Sequence, residues 1–219
     1  MFSKLYLFFF DLGRVLCAPL LLFYRVKKRS TNGARVKTAE LPRGAVYVCN
    51  HVGFSDPMVL GCAFAPRRLF FLVTTQATNT PVRGFLLRHC GCIPIDRAAC
   101  DIDAIRRCTA LLREGGSLCI FPQGHLQHSG ALQSIEQGSS LIAAQAGVPI
   151  VPMYSDARSR PWQRRRLVIG DAIDPRPYGG RFPSAAKLSA LITCSIRQAS
   201  SAATVGSTPM EVSQSVRNV

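Results

Sequence analysis

From Ala45 onward, short apolar runs alternate with stretches of helical character, and few architectures accept that pattern. Residues 45–49, 69–73, 93–95, 117–121, 148–154 and 167–169 read as strands. Helices are expected at about 57–65, 81–89, 101–114, 135–146 and 183–198. The 101–114 helix is amphipathic, with Ile102, Ile105, Leu111 and Leu112 apolar, and Gly115-Gly116 stops it. Strand and helix in alternation imply an α/β domain, a mostly parallel sheet covered by helices. Ligands of such sheets gather at the loops beyond the strand ends. The turns at 50–56, 96–97 and 122–125 all follow strands, so they are expected at one edge. Residues 30–44 read as a polar linker, 200–219 as a disordered tail, and no internal repeat is visible.

The first of these turns carries the most chemistry: Cys49-Asn50-His51-Val52-Gly53-Phe54-Ser55-Asp56-Pro57. Pro57 suits the first turn of a helix that Ser55 or Asp56 can cap. His51 then leaves a strand, Asp56 opens the next helix, and a compact turn can bring them together. A carboxylate beside an imidazole fixes its tautomer and stabilises the imidazolium, so the other ring nitrogen can take a proton from a hydroxyl. Taken alone, His-x4-Asp fits a purely structural turn better than a catalytic one, with Asp56 only a cap.

The chain of 219 residues carries a net charge of +15, and 47% of it is hydrophobic. That apolar content excludes a disordered chain, and the charge calls for a polyanionic partner, either nucleic acid or an anionic membrane surface. No basic run interleaves with aromatics and no zinc-finger spacing occurs, so the apolar N-terminus favours the membrane. The nine cysteines lie mostly in apolar or helical stretches, as buried thiols of a reducing compartment do. His89-Cys90-Gly91-Cys92 lacks a second ligand pair at zinc-like spacing, which argues against a metal site.

Residues 5–24 are apolar apart from Asp11 and Arg14. As a helix they reach about 30 Å, just enough to cross a bilayer. Each mid-helix charge would cost about 2.5–3.5 kcal/mol in a span. Lys4, Asp11 and Arg14 fall on one stripe, which an interfacial helix turns to water. The reading is a monotopic anchor over residues 1–29, with a single tilted span or a buried first helix as alternatives. A signal peptide fits poorly, because charges interrupt the apolar run. Arg25, Lys27, Lys28 and Arg29 would hold the rest of the chain at a cytoplasmic leaflet.

Four segments stand in a definite order: Asn50-His51…Asp56, then Gly91-Cys92-Ile93-Pro94-Ile95-Asp96-Arg97, then Phe121-Pro122-Gln123-Gly124, then Val148-Pro149-Ile150-Val151-Pro152. Over residues 45–155 this resembles the glycerolipid acyltransferase family, whose members acylate lysophosphatidic acid (1-acylglycerol 3-phosphate). The resemblance implies one acyltransferase domain over residues 30–199. Its activity would pass a fatty acyl group from an acyl-CoA or acyl-carrier-protein thioester to a lysophospholipid hydroxyl. It assigns His51 as general base and Asp56 as its orienting acid. Arg97 would grip the acceptor phosphate, with Phe121, Pro122, Gln123 and Gly124 around the substrate and Pro152 lining a pocket. It calls for no metal or cofactor beyond the acyl donor.

The third segment departs from the family's usual Phe-Pro-Glu-Gly-Thr-Arg-Ser, reading Phe121-Pro122-Gln123-Gly124-His125-Leu126-Gln127 here. Gln123 loses a carboxylate and Leu126 a cation, with His125 or His128 as partial substitutes, so a different lysolipid acceptor or a non-catalytic lipid-binding relative are the rival readings. A nucleic-acid binder rests on charge alone. Arg106, Arg107 and Arg113 read as a solvated helix face or one facing lipid head groups. Arg164-Arg165-Arg166 beside Trp162 reads as a second membrane contact or a solvated loop.

Overall fold

The computed structural model describes residues 4–23, 26–53, 55–89, 91–96, 101–121, 138–156, 165–178 and 182–205. Its centre is a seven-stranded sheet. The strands are β1 (Val26–Ser30), β2 (Val46–Cys49), β3 (Leu69–Thr74), β4 (Cys92–Ile95), β5 (Ser117–Ile120), β6 (Ile150–Ser155) and β7 (Arg165–Ile169). They lie in the order β1-β7-β6-β2-β5-β3-β4. From β6 to β4 every pairing is parallel. β7 runs antiparallel to β6, and β1 parallel to β7.

The helices are α1 (Lys4–Phe23), α2 (Asp56–Ala63), α3 (Pro81–His89), α4 (Ile102–Arg113), α5 (Gly138–Ala146) and α6 (Phe182–Val205). Side chains alternate across each strand, so the sheet feeds two cores. On one face Val46, Val48, Leu118 and Ile120 meet Cys108, Leu111 and Leu112 of α4, Ile142 of α5, and Leu188, Ile192 and Ile196 of α6. On the other, Tyr47, Cys49, Cys119, Phe121, Met153 and Leu167 pack with Leu60 of α2 and with Phe64. Asp101 caps α4 by accepting from the Ala104 amide at 2.8 Å. At the other end Gly115, at φ +81°, lets the chain turn back.

Four expectations are corrected. Residues 26–30, read as a basic tether and linker, form edge strand β1 in register with β7. Alternation turns Lys28 inward, where its ammonium donates to Thr38 and to the Ala63 carbonyl. α6 continues through 200–205, because Ala199 and Ala203 pack on Val168; the remainder of the expected tail lies outside the described residues.

The third correction concerns α1. Asp11 and Arg14 do not simply point to water but pair toward the domain: Asp11, still partly exposed, accepts from Arg68 at 2.6 Å and pairs with Arg14 at 3.7 Å. Arg14 itself donates to the Arg67 carbonyl at 3.3 Å. The hydrogen bond from Arg68 holds the Asp11 carboxyl below its ordinary range. Phe10 is buried and stacks on Phe70, over Gly91, where any Cβ would meet the Phe10 ring at 2.2 Å. Phe8, Val15 and Leu16 are left exposed. Among the described residues no helix is long and apolar enough to cross a membrane, so the tilted span is not supported.

The fourth concerns the arginine triplet. Arg165 opens β7 and is buried, 5% exposed. Arg166 donates its amide to Asp156 at 2.7 Å and its Nε at 3.2 Å. Trp162 and Arg164 lie outside the described residues.

Candidate active site

Because β2, β5, β3 and β4 are parallel, their C-terminal ends share one sheet edge. β5 is the immediate neighbour of β2, so Phe121, the residue after β5, meets the turn that leaves β2. The Phe121 ring stacks on the His51 imidazole, centroids 4.4 Å apart and planes inclined by 22°. Phe71 of β3 stacks behind it at 6.1 Å. This aromatic column holds one face of the imidazole.

The direction in which the chain leaves β2 is set by Asn50. Its side-chain amide donates to the Ser155 carbonyl at 2.9 Å, and its carbonyl accepts from the Ser155 amide at 2.7 Å. The side chain thus extends the β2–β6 ladder by one rung, and the main chain is free to turn at His51. From there the turn closes on Asp56. Its Oδ2 accepts from the Val52 amide at 2.8 Å, the Gly53 amide at 2.9 Å and His51 Nδ1 at 2.9 Å. Asp56 is the first residue of α2, but its carboxylate serves the amides of the preceding turn and not the helix end.

Asp56 is 1% exposed. Burial alone would raise its carboxyl; the His51 hydrogen bond, the Arg165 charge and the two amides outweigh it and hold the group below its ordinary 3.8. An ionised carboxylate only accepts, so Nδ1 carries a proton, and in the neutral ring Nε2 keeps its lone pair. His51 is 18% exposed, and among the described residues nothing bonds to Nε2. Chemically, the arrangement is an imidazole oriented and electrostatically supported from behind, one that can accept a proton on Nε2.

Sequence reasoning missed Arg165. Its Nη1 donates to Asp56 Oδ1 at 2.5 Å, across 109 residues of chain. Nothing in Arg164-Arg165-Arg166 distinguishes the middle residue; only the antiparallel course of β7, which begins where β6 ends, brings it to this edge. Asn50 was also more than a motif letter, and its signal was a buried polar residue at a strand end. Cys49 and Cys119 lie beneath the dyad, their thiols pushed up by burial and so neutral.

Of the other expected site residues, Arg97, Pro122, Gln123 and Gly124 lie outside the described residues, as do His125, Leu126 and His128. β4, which precedes Arg97, ends at the same edge three strands from β2, about 14 Å away at ordinary strand spacing. Pro152 is not brought to His51. It pairs with Val48 inside β6 and shares that residue's face, opposite Phe121. A cavity of about 560 Å³ lies at the other end of the sheet, lined by Leu7, Arg43, Phe70 and Ser117, away from the dyad.

A sequence model described as Acyltransferase matches residues 32–156. The chain is 33% identical over 114 residues to the chloroplastic 1-acyl-sn-glycerol-3-phosphate acyltransferase of Arabidopsis thaliana, covering 50% of this chain and 31% of that protein. To the 1-acyl-sn-glycerol-3-phosphate acyltransferase of Streptococcus pneumoniae it is 30% identical over 130 residues, 59% of this chain and 47% of that one. It therefore spans less than half the length of either relative. Among solved structures, the 1-acyl-sn-glycerophosphate acyltransferase PlsC of Thermotoga maritima superposes with a TM-score of 0.60 at 19% identity, covering 86% of this chain and 75% of that one. At that identity the likeness speaks for the fold.

Proposed function

The chain belongs to the acyltransferase family, and we propose that it moves a fatty acyl group from a coenzyme A or carrier-protein thioester to the free hydroxyl of 1-acyl-sn-glycerol 3-phosphate, giving phosphatidic acid. The observation that carries this reading is the His51–Asp56 pair, 2.9 Å apart at the sheet edge with Nε2 unbonded among the described residues. His51 takes the acceptor's hydroxyl proton on Nε2, and Asp56 stabilises the imidazolium. The alkoxide oxygen forms a bond to the thioester carbonyl carbon. As the tetrahedral adduct collapses the C–S bond breaks, and the imidazolium returns its proton to the leaving thiolate. No acyl-enzyme forms and nothing is oxidised or reduced.

The assay that tests this offers purified protein labelled acyl thioester with a panel of lysolipids, with and without a phosphomonoester. Diacyl product from the phosphomonoester acceptor supports the proposal. Product only from other head groups would replace the acceptor, an outcome that Gln123 and Leu126 make the leading alternative. Lysolipid retained without product would identify a non-catalytic binder. Arg97 is assigned to the acceptor phosphate on the family resemblance. Arg97→Ala is expected to raise the acceptor KM about ten- to a hundredfold with kcat little changed, because a charge-assisted contact to phosphate is lost while the base remains. A fall in kcat at constant KM would remove that assignment.

The same reading places the protein on an anionic bilayer, at its cytoplasmic face. What supports it is α1, whose charges grip Arg68 and the Arg67 carbonyl while Phe8, Phe9, Leu12, Val15 and Leu16 are exposed. Val82 and Phe85 of α3, a helix beside α1, are exposed too. Each such side chain sunk into lipid contributes about 1.5–3 kcal/mol. Replacing Val15 and Leu16 together by glutamate should therefore weaken co-sedimentation with vesicles containing anionic lipid by roughly a hundredfold or more. Unchanged sedimentation would exclude this face as the docking surface, and binding to DNA in preference to vesicles would favour the nucleic-acid alternative.

A further inference from the structure

Arg165 is an expensive residue to bury. It is 5% exposed, its Nη1 is committed to Asp56 Oδ1 at 2.5 Å, and its Nε is buried with no hydrogen-bond partner among the described residues. Desolvating a guanidinium costs several kcal/mol, and an unsatisfied N–H adds to that. An apolar residue here, opposite an apolar residue at position 56, would serve stability at least as well. The ion pair therefore asks for an explanation outside stability.

The geometry at Asp56 supplies one. Three donors hold Oδ2, all from the turn 51–53. They leave the carboxylate free to pivot about that oxygen, which would swing its lone pairs away from Nδ1. Arg165 takes Oδ1 from a separate element, a strand whose face also carries Leu167 and Ile169 in the core. With both oxygens held from different elements, the carboxylate plane has no soft torsion left. We infer that Arg165 is a positioning residue of the transfer reaction: by gripping Asp56 Oδ1 it fixes the carboxylate plane and, through it, the ring orientation and tautomer of His51. For its kinetic consequences this rests on the acyl-transfer reading; for its spectroscopic consequences it does not.

The charges around Asp56 make the effect readable. Arg165 from β7 and His51 from the turn face it directly, and Cys49 of β2 and Cys119 of β5 lie beneath as neutral thiols. The Arg166–Asp156 pair next along the edge is self-compensating. Arg165 is thus the one full positive charge touching the carboxylate among the described residues. Removing it lets the dyad hold a proton more readily, which moves the acid limb of the rate profile to higher pH.

The test compares Arg165→Gln and Arg165→Lys in the full chain. For Arg165→Gln the expected kcat at pH 7 falls about ten- to a hundredfold, both KM values stay within about twofold, and the acid limb rises by about one pH unit. Nitrogen NMR of labelled histidine, with the His51 signal assigned by its loss in His51→Ala, should show the Nδ1-protonated tautomer in the parent and a mixture in Arg165→Gln. Arg165→Lys keeps the charge but loses the planar Nη1 donor that reaches Oδ1: the limb stays near its parental position and kcat falls several-fold. A folded Arg165→Gln with parental limb and parental tautomer overturns the proposal, as does a uniform, pH-independent loss of rate with the ring signals unmoved. Should Arg165→Gln not fold, Arg165→Lys decides alone, since parental kcat there overturns the need for the guanidinium at Oδ1. If the parent transfers no acyl group, the catalytic reading fails, and the tautomer still decides whether Arg165 positions His51.

Discussion

His51→Ala is expected to lose acyl transfer by about a thousandfold or more while remaining folded, and the two halves of that result have separate causes. A positioned general base contributes about 10²–10⁴ in rate, and among the described residues the sheet edge offers no second group oriented to take the proton from the same hydroxyl. On the stability side, Asp56 keeps three of its four hydrogen bonds, from the Val52 amide at 2.8 Å, the Gly53 amide at 2.9 Å and Arg165 at 2.5 Å. No buried charge is therefore left unpaired. The ring's stack on Phe121 is lost, but at 18% exposure it is a rim contact and not the middle of a core. Thermal unfolding together with kcat/KM at saturating donor checks both halves. Parental activity in the folded variant would leave the His51 pair a structural turn and remove the proposed mechanism.

What the sequence discloses, and what it withholds, follows from how local each feature is. The parallel strands are legible because their apolar runs are short, bounded by turns and separated by helices, and the ends observed fall within a few residues of those expected. The His51 turn is legible because a strand, a five-residue offset and a helix start are all local. β1 is not, because Val26-Lys27-Lys28-Arg29-Ser30 is an edge strand in which charge on the open side is what protects the edge. The facing of α1 is hidden for a different reason. A helical wheel shows which residues share a side, but not that Arg68, 57 residues away, will take Asp11 and tie that side of the helix to the domain. Arg165 is the extreme case: an arginine between two arginines, whose role exists only once β7 has been laid against β6 and begun at the edge where β2 ends. For Pro152 the family resemblance implies a pocket lining, while only the sheet register, pairing it with Val48, tells that it lies on the opposite face from Phe121.

Asp56→Asn is expected to lower kcat by about 10²–10⁴-fold and, unlike His51→Ala, to cost stability. The amide can offer one oxygen to the Val52 and Gly53 amides and to Nδ1, but its NH₂ then faces the Arg165 donor, two donors with no acceptor between them. An uncompensated buried guanidinium costs about 3–5 kcal/mol. The pH dependence of unfolding carries a second signature. In the parent the folded carboxyl titrates below its ordinary 3.8, so the folded state holds fewer protons than the unfolded one in that range. Its contribution is full above 3.8 and is lost as pH falls through the folded value. Asp56→Asn has no such proton to take up, and its unfolding free energy should lose that part of the acid slope. Kinetically, the carboxylate acts only through the ring. Adding Asp56→Asn to His51→Ala should therefore reduce the residual rate no further, whereas an additional hundredfold loss would mean that Asp56 touches the reaction by itself.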